Sequence, residues 1–93
     1  MLKRSIVGES RGPAMKFVYI LQSETIAEHF YVGLTDDVTN RLAKHNAGAV
    51  RHTSKYRPWR LKDLVGFVDQ ERAVAFERYL KSGSGRAFAK KRL

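Results

Sequence analysis

Residues 30–46 read FYVGLTDDVTNRLAKHN. Phe30-Tyr31-Val32 is an aromatic and β-branched run, the composition of a strand, and with its neighbours it predicts a strand over 29–34. Asp36 or Asp37 then offers a carboxylate to cap a helix, and Val38 and Leu42 recur one turn apart as its apolar stripe. Gly48 supplies the left-handed stop just past Ala47. Strand, turn and helix therefore follow one another almost without a spacer.

Working outward from this stretch sets the rest of the order. Upstream, KFVYILQ at 16–22 reads as a strand buried on both faces. Only the polar SETIAE separates it from the next strand, so the pair should form an antiparallel hairpin. Downstream, residues 49–60 read as a long basic loop, and Pro58 pushes Arg57 out of helix. LKDLVGFV at 61–68 makes a third strand, Asp69 caps a helix over 70–81, and Ser82-Gly83-Ser84-Gly85 breaks the chain before a short basic helix at 86–92. The expected fold class is α+β, with the order β-β-α-β-α(-α) and a small three-stranded antiparallel sheet flanked by helices. One domain over 16–93 accounts for it. Residues 1–15 lack apolar periodicity and read as a disordered tail, with Met15 as a candidate natural start.

The charge narrows the partner. Of 93 residues, 18 are Lys or Arg and 9 are Asp or Glu, a net charge of +9. The cations cluster. Arg41, Lys44, Arg51, Lys55, Arg57, Arg60 and Lys62 run without an intervening acid, and so do Arg78, Lys81, Arg86, Lys90, Lys91 and Arg92. Clustered cations recruit polyanions, nucleic acid first and an anionic membrane face second. No apolar run approaches the length of a membrane span. The absence of cysteine excludes disulfides, zinc-thiolate sites and thiol catalysis, and fits a reducing cytoplasm.

Several residues carry chemistry beyond the fold. Arg41 and His45 are one helical turn apart on a face expected to point away from Val38 and Leu42. A guanidinium suits bidentate phosphate contact, and an imidazole can contact phosphate or move a proton. Taken alone, each is better read as an ordinary solvated side chain, with His45 favouring the helix C-terminus by its charge. Tyr31 and Gly33 share one strand face, and Tyr19 lies opposite Val18 and Ile20 on its own strand. Each tyrosine also reads as an amphipathic core residue. Ala73, Phe76 and Leu80 mark the buried stripe of the second long helix, and Glu77 sits within that arc. A carboxylate there needs a partner: an ion pair with Arg72, Arg78 or Lys81, or a divalent cation.

Taken together, these positions resemble the GIY-YIG nuclease domain. Phe17-Val18-Tyr19 stands where the family writes GIY, and Tyr31-Val32-Gly33 stands where it writes YIG. Arg41-Leu42, His45-Asn46 and Glu77-Arg78-Tyr79-Leu80-Lys81 follow in family order, and the likeness is greatest to the small stand-alone bacterial proteins of the superfamily. It covers residues 16 to about 92. Two family positions differ: Leu34 follows Gly33 where excision-repair relatives have lysine, and there is no late asparagine.

The resemblance implies a metal-dependent endonuclease acting on DNA, structure-selective or weakly specific, on branched or nicked substrates. Tyr19 and Tyr31 would line the site, one of them orienting or deprotonating the attacking water. Arg41 would clamp the scissile phosphate, His45 would contact phosphate or relay a proton, and Gly33 would permit close approach. Glu77 would hold a single Mg²⁺ or Mn²⁺. A tyrosine base needs its pKa lowered from about 10, which Arg41 and a metal would do. Lys44, Arg51, His52, Lys55, Arg57 and Arg60 would follow the DNA backbone, and Tyr56 and Trp59 would stack on an unpaired base, with Trp59 better read as a core plug. No membrane and no small-molecule cofactor is expected, and a protein partner would lend specificity. The alternative is a non-catalytic nucleic-acid-binding module of the same fold, or a basic adaptor.

Overall fold

A computed structural model describes residues 14–93; most of the expected tail lies outside the described residues. β1 (Lys16–Ser23) and β2 (Phe30–Thr35) form the hairpin, and α1 (Val38–Asn46) follows within two residues. A 3-10 helix at Arg51–Tyr56, β3 (Trp59–Phe67), α2 (Gln70–Leu80) and α3 (Gly83–Arg92) complete the chain. The sheet order is β2-β1-β3, antiparallel throughout, so the most apolar strand is central.

The sheet separates two cores, and period-two alternation on β1 decides which residue joins which. Val18 and Ile20 pack with Ala73 and Leu80 of α2, flanked by Val32, Leu34, Phe67 and Phe76. Tyr19 and Leu21 point the other way, where they meet Trp59 and the partly buried Tyr31, Val38, Leu42 and Tyr56. Thus α1 covers the tyrosine face and α2 covers the opposite one.

Local chemistry fixes the ends. Asp37, not Asp36, caps α1 by accepting from the Asn40 amide at 3.0 Å. Asp69 caps α2 through the Glu71 and Arg72 amides. Gly48 ends α1 at φ +83°, a conformation that penalises a Cβ.

Three expectations change. The basic loop is not irregular, because Arg51–Tyr56 close into a 3-10 helix. Trp59 opens β3 instead of preceding it, and its side chain is a core plug, 4% exposed, with Nε1–H donating to the Thr53 carbonyl at 2.9 Å. Nor does the Ser-Gly repeat break the chain for long. Ser82 caps α3 by accepting from the Gly85 amide at 3.1 Å, and α3 begins at Gly83. Gly85 is buried against the end of α2, and a Cβ there would overlap the Tyr79 carbonyl.

Candidate active site

The hairpin register builds the first layer. Tyr19 pairs with Gly33 and Leu21 pairs with Tyr31, so both tyrosines and the glycine share one face. The Tyr19 ring leans over Gly33, where a side chain would collide with its hydroxyl. The two tyrosine rings lie 6.1 Å apart.

α1 supplies the second layer. Arg41 and His45 do lie one turn apart, but they do not face away from Val38 and Leu42 as the spacing suggested. Val38, Leu42 and His45 form one i, i+4, i+7 stripe toward the sheet. His45 is 0% exposed, which removes the solvated reading and direct phosphate contact in this arrangement. Its ring centroid lies 4.8 Å from that of Tyr31. Arg41, beside it, is half-buried at the rim.

Hydrogen bonds join the layers. Nε of Arg41 donates to the Tyr19 hydroxyl at 3.3 Å. The same hydroxyl is 3.0 Å from Nε2 of His45. Nδ1 of His45 is 2.9 Å from the Thr53 hydroxyl, which itself donates to the Val50 carbonyl at 3.1 Å. Thr53 is 2% exposed. Sequence reasoning missed it, because a threonine inside a basic loop carries no periodic signal. A buried histidine eight positions upstream that needed a partner was the one available pointer.

Electrostatics follow burial. His45 is pushed down to about 4, first by desolvation, then by the charges of Arg41 and His52, so it is neutral near pH 7. Tyr19 is raised above the ordinary phenol value. Burial is the largest cause, and the Arg41 hydrogen bond opposes it without overcoming it, while Tyr31 and Glu77 raise it further. The expected lowering by Arg41 is therefore present but outweighed. Arg41 is itself raised, mainly by its bond to Tyr19, and stays cationic.

Glu77 has no hydrogen bond to these groups, although its charge acts on Tyr19. It rides on α2, across the sheet from His45, with its carboxylate 2.5 Å from Lys81 Nζ in an i, i+4 pair. Of the three partners its sequence position allowed, Lys81 is the one observed. The carboxylate is 17% exposed and Lys81 is 51% exposed. Among the described residues, no group of three or more His, Asp or Glu converges to hold an ion. One hard oxygen at an accessible edge still suits Mg²⁺, which takes few carboxylates and keeps several waters.

The basic stretch abuts the site through its 3-10 helix. His52 stands 5.7 Å from the Tyr31 ring, centroid to centroid. Lys44, Arg51, His52, Lys55, Arg57 and Arg60 are all exposed. Arg60 lies in β3 and donates to the Gln22 side chain, at the strand end. Tyr56 is not a free platform for a base: it stacks on His29 at 4.0 Å and meets Trp59 edge-on. The C-terminal cations belong to α2 and α3, on the opposite side of the sheet.

A three-stranded sheet with paired tyrosines, an arginine and a histidine from the first helix, and a glutamate from the second defines one class of catalytic domain. The chain belongs to the GIY-YIG family: residues 15–92 match the model of the GIY-YIG catalytic domain. Among relatives, it is 39% identical over 72 residues to the structure-specific endonuclease subunit SLX1 of Scheffersomyces stipitis, covering 70% of this chain and 21% of that protein. It is 42% identical over 71 residues to SLX1 of Chaetomium globosum, covering 70% and 22%. With the SLX1 homolog of Giardia intestinalis it shares 32% over 77 residues, covering 78% and 21%. The chain spans about a fifth of the length of these relatives. They are eukaryotic subunits, whereas the motifs suggested small stand-alone bacterial proteins; what the comparisons bear out is the GIY-YIG domain itself.

Proposed function

We propose that the chain is a structure-selective DNA endonuclease domain that hydrolyses phosphodiesters with one divalent cation. The observation that carries this reading is the bonded cluster of Arg41, Tyr19 and His45 beside Tyr31, in a chain of the GIY-YIG family whose relatives are named structure-specific endonuclease subunits. The relatives' name speaks of structure-specific cutting, and branched or nicked DNA is the substrate class we propose.

Each group has a role its environment supports. Arg41 bonds Tyr19 through Nε, which leaves its terminal nitrogens for a phosphate and its developing charge. Tyr31 is the more exposed tyrosine and orients the attacking water. Tyr19 is buried, so it acts on Arg41 and His45 more than on substrate. Glu77, released from Lys81, would hold the ion together with water and phosphate oxygens. A bound Mg²⁺ would lower the pKa of water or stabilise the leaving oxygen. Lys44, Arg51, His52, Lys55, Arg57 and Arg60 would carry the DNA backbone, and a partner protein would set the choice of junction.

The decisive experiment incubates branched, nicked and supercoiled DNA with protein and Mg²⁺ or Mn²⁺, beside folded Glu77→Ala and Arg41→Ala variants. Metal-dependent cleavage lost in both supports the reading. A second reading, a binding module without catalysis, is favoured by the carboxylate being closed by Lys81. Binding without cleavage on every substrate selects it.

A further inference from the structure

Four hydrogen bonds cross the site in a single file: Arg41 Nε to Tyr19, Tyr19 to His45 Nε2, His45 Nδ1 to Thr53, and Thr53 to the Val50 carbonyl. The two ends of the file fix its direction. A guanidinium N–H only donates, and a carbonyl only accepts. The Thr53 hydroxyl has one proton, which goes to Val50, so its oxygen must accept from His45. Nδ1 of His45 therefore carries the ring proton and Nε2 carries the lone pair. Nε2 accepts the Tyr19 proton, which leaves the phenol oxygen free to accept from Arg41. Reversing any one bond leaves a buried donor facing a donor or a lone pair facing a lone pair.

We propose that Thr53 is a positioning residue of the active site: by holding His45 as the Nδ1–H tautomer it turns Tyr19 toward His45 and thereby aims the Arg41 guanidinium. This deepens the endonuclease reading and rests on it for the catalytic consequence, but the tautomer itself does not. Thr53 touches no substrate. Its own place is secured by the Trp59 indole, which donates to its carbonyl at 2.9 Å, and Trp59 is clamped in turn by Asn46 through bonds of 2.6 and 3.0 Å. The 3-10 helix is thus the bracket that sets the file, not only a display for cations.

The file orients the Tyr19 proton without removing it: Nε2 of His45 accepts the hydrogen bond, while burial weakens the imidazole as a base and holds the proton on the phenol. The charged and titratable groups around His45 are Arg41 on its own helix, Tyr19 and Tyr31 on the sheet, and His52 on the 3-10 helix; the charge of Glu77, on α2, acts on Tyr19.

The test pairs two substitutions with a spectroscopic readout. Thr53→Val keeps the shape and removes the hydroxyl; Thr53→Ser keeps the hydroxyl. Nitrogen-proton correlation spectra of the imidazole should show His45 as one Nδ1–H tautomer in the parent chain and in Thr53→Ser. In Thr53→Val the two tautomers should mix, and the Arg41 Nε–H should exchange faster with solvent. Cleavage should fall about tenfold to a hundredfold in kcat in Thr53→Val, with KM for DNA unchanged, and recover in Thr53→Ser. An Nε2–H tautomer in the parent chain overturns the proposal. So does a folded Thr53→Val that keeps the single Nδ1–H tautomer and full kcat. If Thr53→Val fails to fold, an Nδ1–H resonance in the parent coupled to the Thr53 hydroxyl supports the file, and its absence overturns it. A parent chain that shows the tautomer but cleaves no DNA defeats the endonuclease reading alone.

Discussion

The Tyr19 ring fills the space above Gly33: the two are direct partners across the β1–β2 hairpin, and a Cβ on Gly33 would overlap the phenol oxygen. Glycine is needed here for the absence of a side chain, not for an unusual backbone angle. Gly33→Ala should therefore displace the phenol and, with it, the bond to Arg41. The overpacking should cost about 1–3 kcal/mol in urea unfolding, and cleavage should drop on the order of a hundredfold, since a shift near 1 Å at such a site has that cost. Gly33→Ala that stays folded and cleaves like the parent would refute the close approach as functional.

His45 should make stability depend on pH in a defined window. Unfolded, it takes a proton near 6.5; folded, it resists until about 4. Between these values only the unfolded chain gains the proton, so acid favours unfolding. The contribution is complete above about pH 6.5 and disappears as pH falls to about 4, with a ceiling of about 3 kcal/mol. Urea midpoints measured from pH 4 to 7 should slope in the parent and lose that part of the slope in His45→Gln. Parallel curves would show that His45 does not titrate as its burial requires.

Much of this was readable because the relevant signals are local and periodic. The hairpin, the faces of its strands and the cap at Asp69 follow from alternation and spacing, which narrow the first cap to Asp36 or Asp37. Tyr31 and Gly33 share a face as the period of two demands, whereas the register that adds Tyr19 to that face is seen only in the structure. What failed to show were contacts made at a distance. His45 looked like a solvent-facing residue because its helix was assigned a stripe of Val38 and Leu42 only; the stripe continues to position 45, where a polar residue breaks the apolar pattern. Its partner Thr53 comes from a segment whose 3-10 helix is fixed by Trp59 and Asn46, and no window of sequence contains that bond. The raised pKa of Tyr19 was hidden for a related reason: a nearby cation is visible in sequence, whereas the burial that outweighs it is not.

The exposed cations beside the 3-10 helix should act through phosphate contacts. Arg51→Ala and Lys55→Ala should each weaken DNA binding evenly across sequences and lower the slope of log affinity against log salt by about 1. Titrations of a labelled branched duplex at four salt concentrations would measure it. An unchanged slope in both would move the DNA away from this surface.

Lys81 should compete with the metal for Glu77. The ion pair at 2.5 Å must open before the carboxylate can bind a cation. Lys81 is half-exposed, so its release into water is easy, and such a pair contributes little to stability, on the order of 0.3–0.5 kcal/mol. Lys81→Ala should consequently leave the fold intact and lower the Mg²⁺ concentration giving half-maximal cleavage, whereas Glu77→Gln should abolish metal-dependent cleavage at every concentration. Mn²⁺ relaxation titrations give the same comparison without relying on turnover: tighter binding in Lys81→Ala and none in Glu77→Gln. If Lys81→Ala instead weakens Mn²⁺ binding, the lysine aids the site by holding the carboxylate in place, and competition is excluded. If Glu77→Gln binds Mn²⁺ like the parent chain, the ion is held elsewhere and the role given to Glu77 is wrong.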